Sequence, residues 1–104
     1  MAATVIGQGI TIEGEVTATD EVVVAGIIRG KLTTEGQVTV EADGVVEADI
    51  AARSVSIGGA VTGNVTARER VDLLGGGKLM GDVKAARLTI ADGASFKGNV
   101  DMDV

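Results

Sequence analysis

The feature that most constrains this chain is an internal repeat, and missing such a repeat would misassign the whole fold. Apolar-x-apolar pairs stand at Val22/Val24, Val38/Val40, Val55/Ile57, Val71/Leu73 and Leu88/Ile90. A degenerate first copy is read with Ile6 in register and Gln8 where the second apolar residue should be. On that reading the copies start at positions 6, 22, 38, 55, 71 and 88, with spacings of 16, 16, 17, 16 and 17. A second signature follows each pair, an apolar residue two positions before a small one. It comprises Ile12 before Gly14, Ile28 before Gly30, Val46 before Ala48, Val61 before Gly63, Leu79 before Gly81 and Phe96 before Gly98. Another apolar residue stands two positions after each small one: Val16, Leu32, Ile50, Val65, Val83 and Val100.

Within each copy the apolar residues alternate, which is the period of a strand. The connections of four to six residues, as from Val24 to Ile28 or Val40 to Val46, leave no room for helices. Strands, tight corners and a period near 17 describe the coils of a solenoid, in which equivalent strands pair in parallel about 4.8 Å apart. The expected fold is all-β: a single-domain right-handed parallel β-helix (β-solenoid) of about six coils, 16–17 residues per coil. Handedness follows from the strong right-handed bias of parallel connections. A strict six-residue period, the mark of the left-handed alternative, is broken by the mixed corners. The domain runs over 6–102, after a short N-terminal tail at 1–5 and before a C-terminal end at 103–104.

The columns of such a stack are readable in advance. Gly14, Gly30, Ala48, Gly63, Gly81 and Gly98 form a uniformly small column, read as inward-facing and confined by a narrow cross-section. Corner glycines, among them Gly26, Gly44, Gly58, Gly59, Gly75 to Gly77 and Gly93, are expected to supply backbone angles that β-branched residues avoid. Outward, Glu13, Arg29 and Glu47 should form one ladder of alternating sign, and Glu15, Lys31 and Asp49 a second. A one-residue slip would turn every apolar side chain outward, so the pattern also specifies the register.

Composition removes most chemistry. The chain has no His and no Cys, which eliminates the commonest general base and zinc ligand together with any disulfide or thiol function. The net charge of −6 argues against nucleic acid as a partner. Gly75-Gly76-Gly77-Lys78 lacks the Ser or Thr and the helix of a phosphate loop. The tandem calcium-binding glycine-aspartate repeat is absent, and a threonine column at Thr17, Thr33 and Thr66 is interrupted by Ala51, Lys84 and Asp101, against ice binding. No catalytic, cofactor-binding or metal site is expected, no cofactor is implied, and the chain is read as a non-enzyme. With no apolar run near the roughly 18 residues of a membrane span, a cytoplasmic protein is the expectation.

The ends of the solenoid carry the functional reading. A stack of coils leaves an unpaired strand edge and half a core at each end. The last coil is apolar inside, with Leu88, Ile90, Phe96, Val100 and Met102, and Phe96 is the only aromatic residue in the chain. These five are the expected C-terminal polymer interface, and Ile6, Ile10, Ile12 and Val16 the N-terminal one. A short stripe of Ile27, Val45 and Ala60 offers a lateral contact.

The six-coil pattern, the opening Thr4-Val5-Ile6-Gly7-Gln8-Gly9-Ile10-Thr11-Ile12-Glu13-Gly14 and the closing Leu88-Thr89-Ile90-Ala91-Asp92-Gly93-Ala94-Ser95-Phe96-Lys97-Gly98-Asn99-Val100 resemble the bactofilins over residues 4 to 102. The resemblance implies a right-handed β-helix that polymerises end to end, without nucleotide, into non-polar filaments. It implies the chain itself as partner, the cytoplasmic face of the inner membrane as a surface, and cell-wall enzymes as clients of a cell-shape scaffold. It also implies that Phe96 is a polymerisation residue. Only Met1 to Ala3 precede the repeat, fewer than the membrane-touching segment usual in the family. The alternative is a monomeric β-solenoid that binds a partner as an adaptor.

Overall fold

A computed structural model describes residues 4–101. Its strands, in chain order, are β1 (Thr4–Ile6), β2 (Thr11–Ala18), β3 (Val22–Val24), β4 (Ile27–Thr34), β5 (Gln37–Val40), β6 (Val45–Ile57), β7 (Ala60–Thr62), β8 (Val65–Leu73), β9 (Lys78–Lys84), β10 (Arg87–Ile90) and β11 (Ser95–Asp101). Every pairing between them is parallel and joins one coil to the next. The result is an all-β parallel solenoid of six coils, about 30 Å in its longest dimension.

Each coil has three sides. The first is a short strand, as in β3; the second and third are the two halves of a longer run such as β4, divided where Arg29, Gly30 and Lys31 are exposed in succession. Inward columns follow the pairing register. On the first side they are Val22/Val38/Val55/Val71/Leu88 and Val24/Val40/Ile57/Leu73/Ile90. On the second side Ile12/Ile28/Val46/Val61/Leu79/Phe96 stack, and on the third Val16/Leu32/Ile50/Val65/Val83/Val100. From the second coil to the fifth these side chains are buried. A ring of five or so inward Val, Ile, Leu and Ala residues fills each coil, so large aromatics are not needed.

One buried residue among the described ones is polar. Thr34 donates its hydroxyl to the Asp20 carbonyl at 2.5 Å and accepts from the Gly36 N–H at 3.1 Å. Satisfied this way, it fastens one corner to the next at little cost.

The structure changes three expectations. The first coil is registered two residues earlier than the repeat suggests: Thr4 pairs with Val22 and Ile6 with Val24. Gln8 therefore lies in no strand, but at a corner whose Ile10 N–H bonds the Gly7 carbonyl at 3.2 Å. Thr4 and Val5, read as tail, belong to this strand. The cause is a six-residue step from Ile6 to Ile12, the longer of the two corner types.

The small column is also small for a different reason. Gly14, Gly30, Gly63, Gly81 and Gly98 have φ between 123° and 140°, angles L side chains rarely adopt. A Cβ on Gly30 would sit 2.1 Å from the Gly14 carbonyl oxygen, and one on Gly81 2.0 Å from that of Gly63. The column is a bend where coil rides on coil, rather than a narrow interior. Ala48 departs from it: Glu47 and Asp49 are exposed and Ala48 is buried, in strict alternation, so the chain runs straight there.

At the opposite corner only Gly9, Gly76 and Gly93 have positive φ. Gly26, Gly44, Gly59 and Gly77 are required by close approach instead, since a Cβ on any of them would come within 2.5 Å of a carbonyl oxygen of the coil below.

Candidate functional site

Among the described residues no group of three His, Cys, Asp or Glu is placed to hold a metal ion. On the third side near the C-terminal end lies an open groove lined by Asn64, Thr66, Asp82, Lys84, Asn99 and Asp101. No helix among the described residues is long and apolar enough to cross a membrane.

The outer faces carry ordered charge. Glu13, Arg29 and Glu47 stack in register, and Arg29 bridges both neighbours, 3.6 Å to Glu13 and 3.3 Å to Glu47. Glu15, Lys31 and Asp49 align in the adjacent column, but no ion pair joins them. Ile27, Val45 and Ala60 do form one outward column, each half-buried against the neighbouring corner. Gln8, at the long corner of the first coil, reaches over the short corner at Ala25-Gly26 and donates to Asp43 at 2.6 Å.

Large apolar side chains are exposed in the first and last coils, and Leu74 and Met80 of the fifth coil are exposed besides. At the C-terminal end Ile90 is 47% and Val100 38% exposed, while Leu88 and Phe96 are half-buried. Met102, expected in the same cluster, lies outside the described residues. These side chains continue the inward columns: Phe96 stacks on Leu79, Val100 on Val83, Leu88 on Val71 and Ile90 on Leu73. Each offers its far side to whatever lies beyond the sixth coil.

The N-terminal end is assembled similarly, with one correction. Ile10 is 48% exposed, and Ile12 and Val16 are half-buried over Ile28 and Leu32. Ile6 is not part of this surface: it is 2% exposed, and its Cγ2 fills space left by the missing Cβ of Gly26. The residue that sequence reasoning overlooked is Val5, 65% exposed and stacked on Val23. Its outward neighbour in the next coil is also apolar, a signal available once the first strand is registered correctly.

Comparison with known proteins follows this geometry closely. The family model "Bactofilin: Polymer-forming cytoskeletal" matches residues 4–101. Bactofilin BacO of Myxococcus xanthus is 50% identical over 104 residues, covering 100% of this chain and 82% of that protein. Bactofilin BacP of the same organism is 42% identical, over 95% of this chain and 41% of its own length. Among solved structures, the chain in the double helical filaments of Thermus thermophilus bactofilin superimposes with a TM-score of 0.85 at 32% identity, covering 93% of this chain and 98% of that one. The cytoskeletal bactofilin BacA, determined by solid-state NMR, gives the same TM-score and identity over 94% of this chain and 93% of its own.

Proposed function

This chain belongs to the bactofilin family of polymer-forming cytoskeletal proteins, and from that premise we propose that it joins end to end, through its first and last coils, into filaments. The observation that carries the proposal is the pair of open ends. Inward columns that are closed through the middle of the stack finish in Leu88, Ile90, Phe96 and Val100 at one end and in Ile12 and Val16 at the other. Fully burying a large apolar side chain is worth about 1.5–3 kcal/mol. Covering these residues with another chain's end coil therefore supplies a substantial drive for assembly. No nucleotide is needed, because the drive is apolar burial and no phosphate-binding loop is built.

The filament is non-polar in this reading, with C-terminal ends meeting each other and N-terminal ends likewise. A two-fold contact closes on itself, so propagation needs two different ones in alternation. The filament acts as a structural scaffold for cell-envelope or cell-shape processes at the cytoplasmic face of the inner membrane, with cell-wall enzymes as clients.

Two end-blocked variants test this. Phe96→Arg should abolish filaments in electron micrographs, with an unchanged circular dichroism spectrum. In a non-polar filament it should leave dimers joined at the N-terminal ends, and Ile12→Arg should leave dimers joined at the C-terminal ends. In a polar filament each variant alone is monomeric and only the mixture dimerises. Unsubstituted protein that stays a monomer at high concentration would sink the filament and favour the adaptor reading.

A further inference from the structure

Charge along one corner of the solenoid is arranged unlike charge elsewhere. This is the corner between the third side of one coil and the first side of the next, and it is crossed five times. From the N-terminal end the crossings carry Asp20 and Glu21, then Glu35, then Arg53, then Arg68 to Arg70, then Arg87. Apart from Glu69 in the fourth crossing, the corner runs from carboxylates to guanidiniums, and four of the five arginines of a chain with net charge −6 lie from its middle crossing onward.

Stability of the single chain does not explain this segregation. Arg70 and Arg87 are direct register partners, and like charges in that position are destabilising. The neighbouring ladder of Glu13, Arg29 and Glu47 shows the arrangement that stacking favours, which is alternation. Internal pairing accounts for part of the corner only: Arg53 with Glu69, and Arg70 with Asp72 at 3.3 Å. Arg68 and Arg87 make no ion pair, and neither do Asp20, Glu21 and Glu35. All five side chains are exposed.

We propose that this corner is a self-docking surface, along which two copies of the chain lie side by side and antiparallel about a two-fold axis at Arg53. That axis brings the second crossing onto the fourth and the first onto the fifth. Glu35 then faces Arg68, and Glu21 faces Arg87, each pair occurring twice because the contact is isologous. At the axis Arg53 meets its own copy, and it is there that the guanidinium is neutralised within its own chain by Glu69. Four of the five unpaired charges are thus given partners, Asp20 excepted, and the central like charge is the one already compensated.

A second copy fits better than an extended polyanion. Adjacent coils are about 4.8 Å apart, so the basic half is short, and a nucleic acid or long acidic chain laid on it would run onto Glu35, Asp20 and Glu21. The contact uses an outer corner and leaves both end faces free, and it therefore stands or falls separately from end-to-end assembly.

The chain contains no cysteine, so introduced ones report cleanly. Glu35→Cys and Arg68→Cys chains, mixed and treated with a short bismaleimide, should give cross-linked dimers several-fold above either variant alone. Arg53→Cys should cross-link to itself. Raising salt from 0.05 to 0.5 M should cut both yields several-fold, because the Debye length falls from roughly 14 Å to about 4 Å. The same pattern should persist in a background carrying both Ile12→Arg and Phe96→Arg, which blocks both end contacts of the proposed filament. Circular dichroism checks that each variant is folded. Self-linking of Glu35→Cys equal to the mixed yield would show parallel pairing and overturn the proposal. Yields no higher than for Thr62→Cys, on the second side, would overturn it too. So would tight binding of polyglutamate together with absent Arg53→Cys self-linking, which would assign the corner to an acidic partner.

Discussion

The fourth coil and the sixth place apolar residues at the same inward positions in the same register, and they differ in what lies on either side. Ile57 and Ile90 share an inward column with Leu73 between them; Ile57 is fully buried and Ile90 is 47% exposed. Val65 and Val100 repeat the contrast one side away, at 1% and 38%. A globular domain places polar residues where its core stops. Here, among the described residues, the apolar pattern continues into the last coil and its outer side is exposed. Exposure at the end is thus a property of the stack rather than of residue choice, and one more coil from any source would remove it.

The sharpest way to break that comparison is to truncate both members. Ile57→Ala should cost about 2–5 kcal/mol in denaturant unfolding, as for other fully buried isoleucines. A cost below 1 kcal/mol would mean that the middle coils are not the tightly packed part. Next in size is the bend column. Gly30→Ala forces a side chain into positive φ and against the Gly14 carbonyl, for a loss of about 1–3 kcal/mol.

Ile90→Ala, measured on protein dilute enough to stay unassembled, should cost under about 2 kcal/mol, because half of its surface is already in water. Its apparent cost should rise with protein concentration as assembly covers it, whereas that of Ile57→Ala should not. Ala48→Gly sharpens the contrast inside the glycine column. It should lose only about 0.5–1 kcal/mol, the entropic cost of glycine in a strand, since the backbone is straight there. The smallest effect belongs to Arg29→Ala. Its two bridges are half exposed, so under about 1 kcal/mol is expected, and that difference should shrink at high salt.

Much of this was legible beforehand. Alternation and period sufficed to place Val22 to Leu88 in columns, and the solvent-facing ladder of Glu13, Arg29 and Glu47 followed from the same register. The ends were legible as well, because Phe96 and Val100 continue a pattern with no polar substitute. What escaped was local. Thr4 hides the first coil's register, since a polar residue occupies a column that is apolar in every later coil and the next strand begins six residues after Ile6. For that reason Thr4 and Val5 read as tail, and Ile6 as part of the open end rather than of the closed core.

Sequence alone determined the number of coils, their parallel stacking and the composition of the core, because side-chain alternation and a constant period admit one arrangement that buries every apolar column at once. Only the tertiary structure decided why the glycines are glycine, since a small residue looks the same in a string whether it saves space or permits a positive φ. It also decided which charges are neighbours. Glu35 and Arg68 are far apart in the chain, and the corner that lines them up with Arg53 between exists only once the coils are stacked.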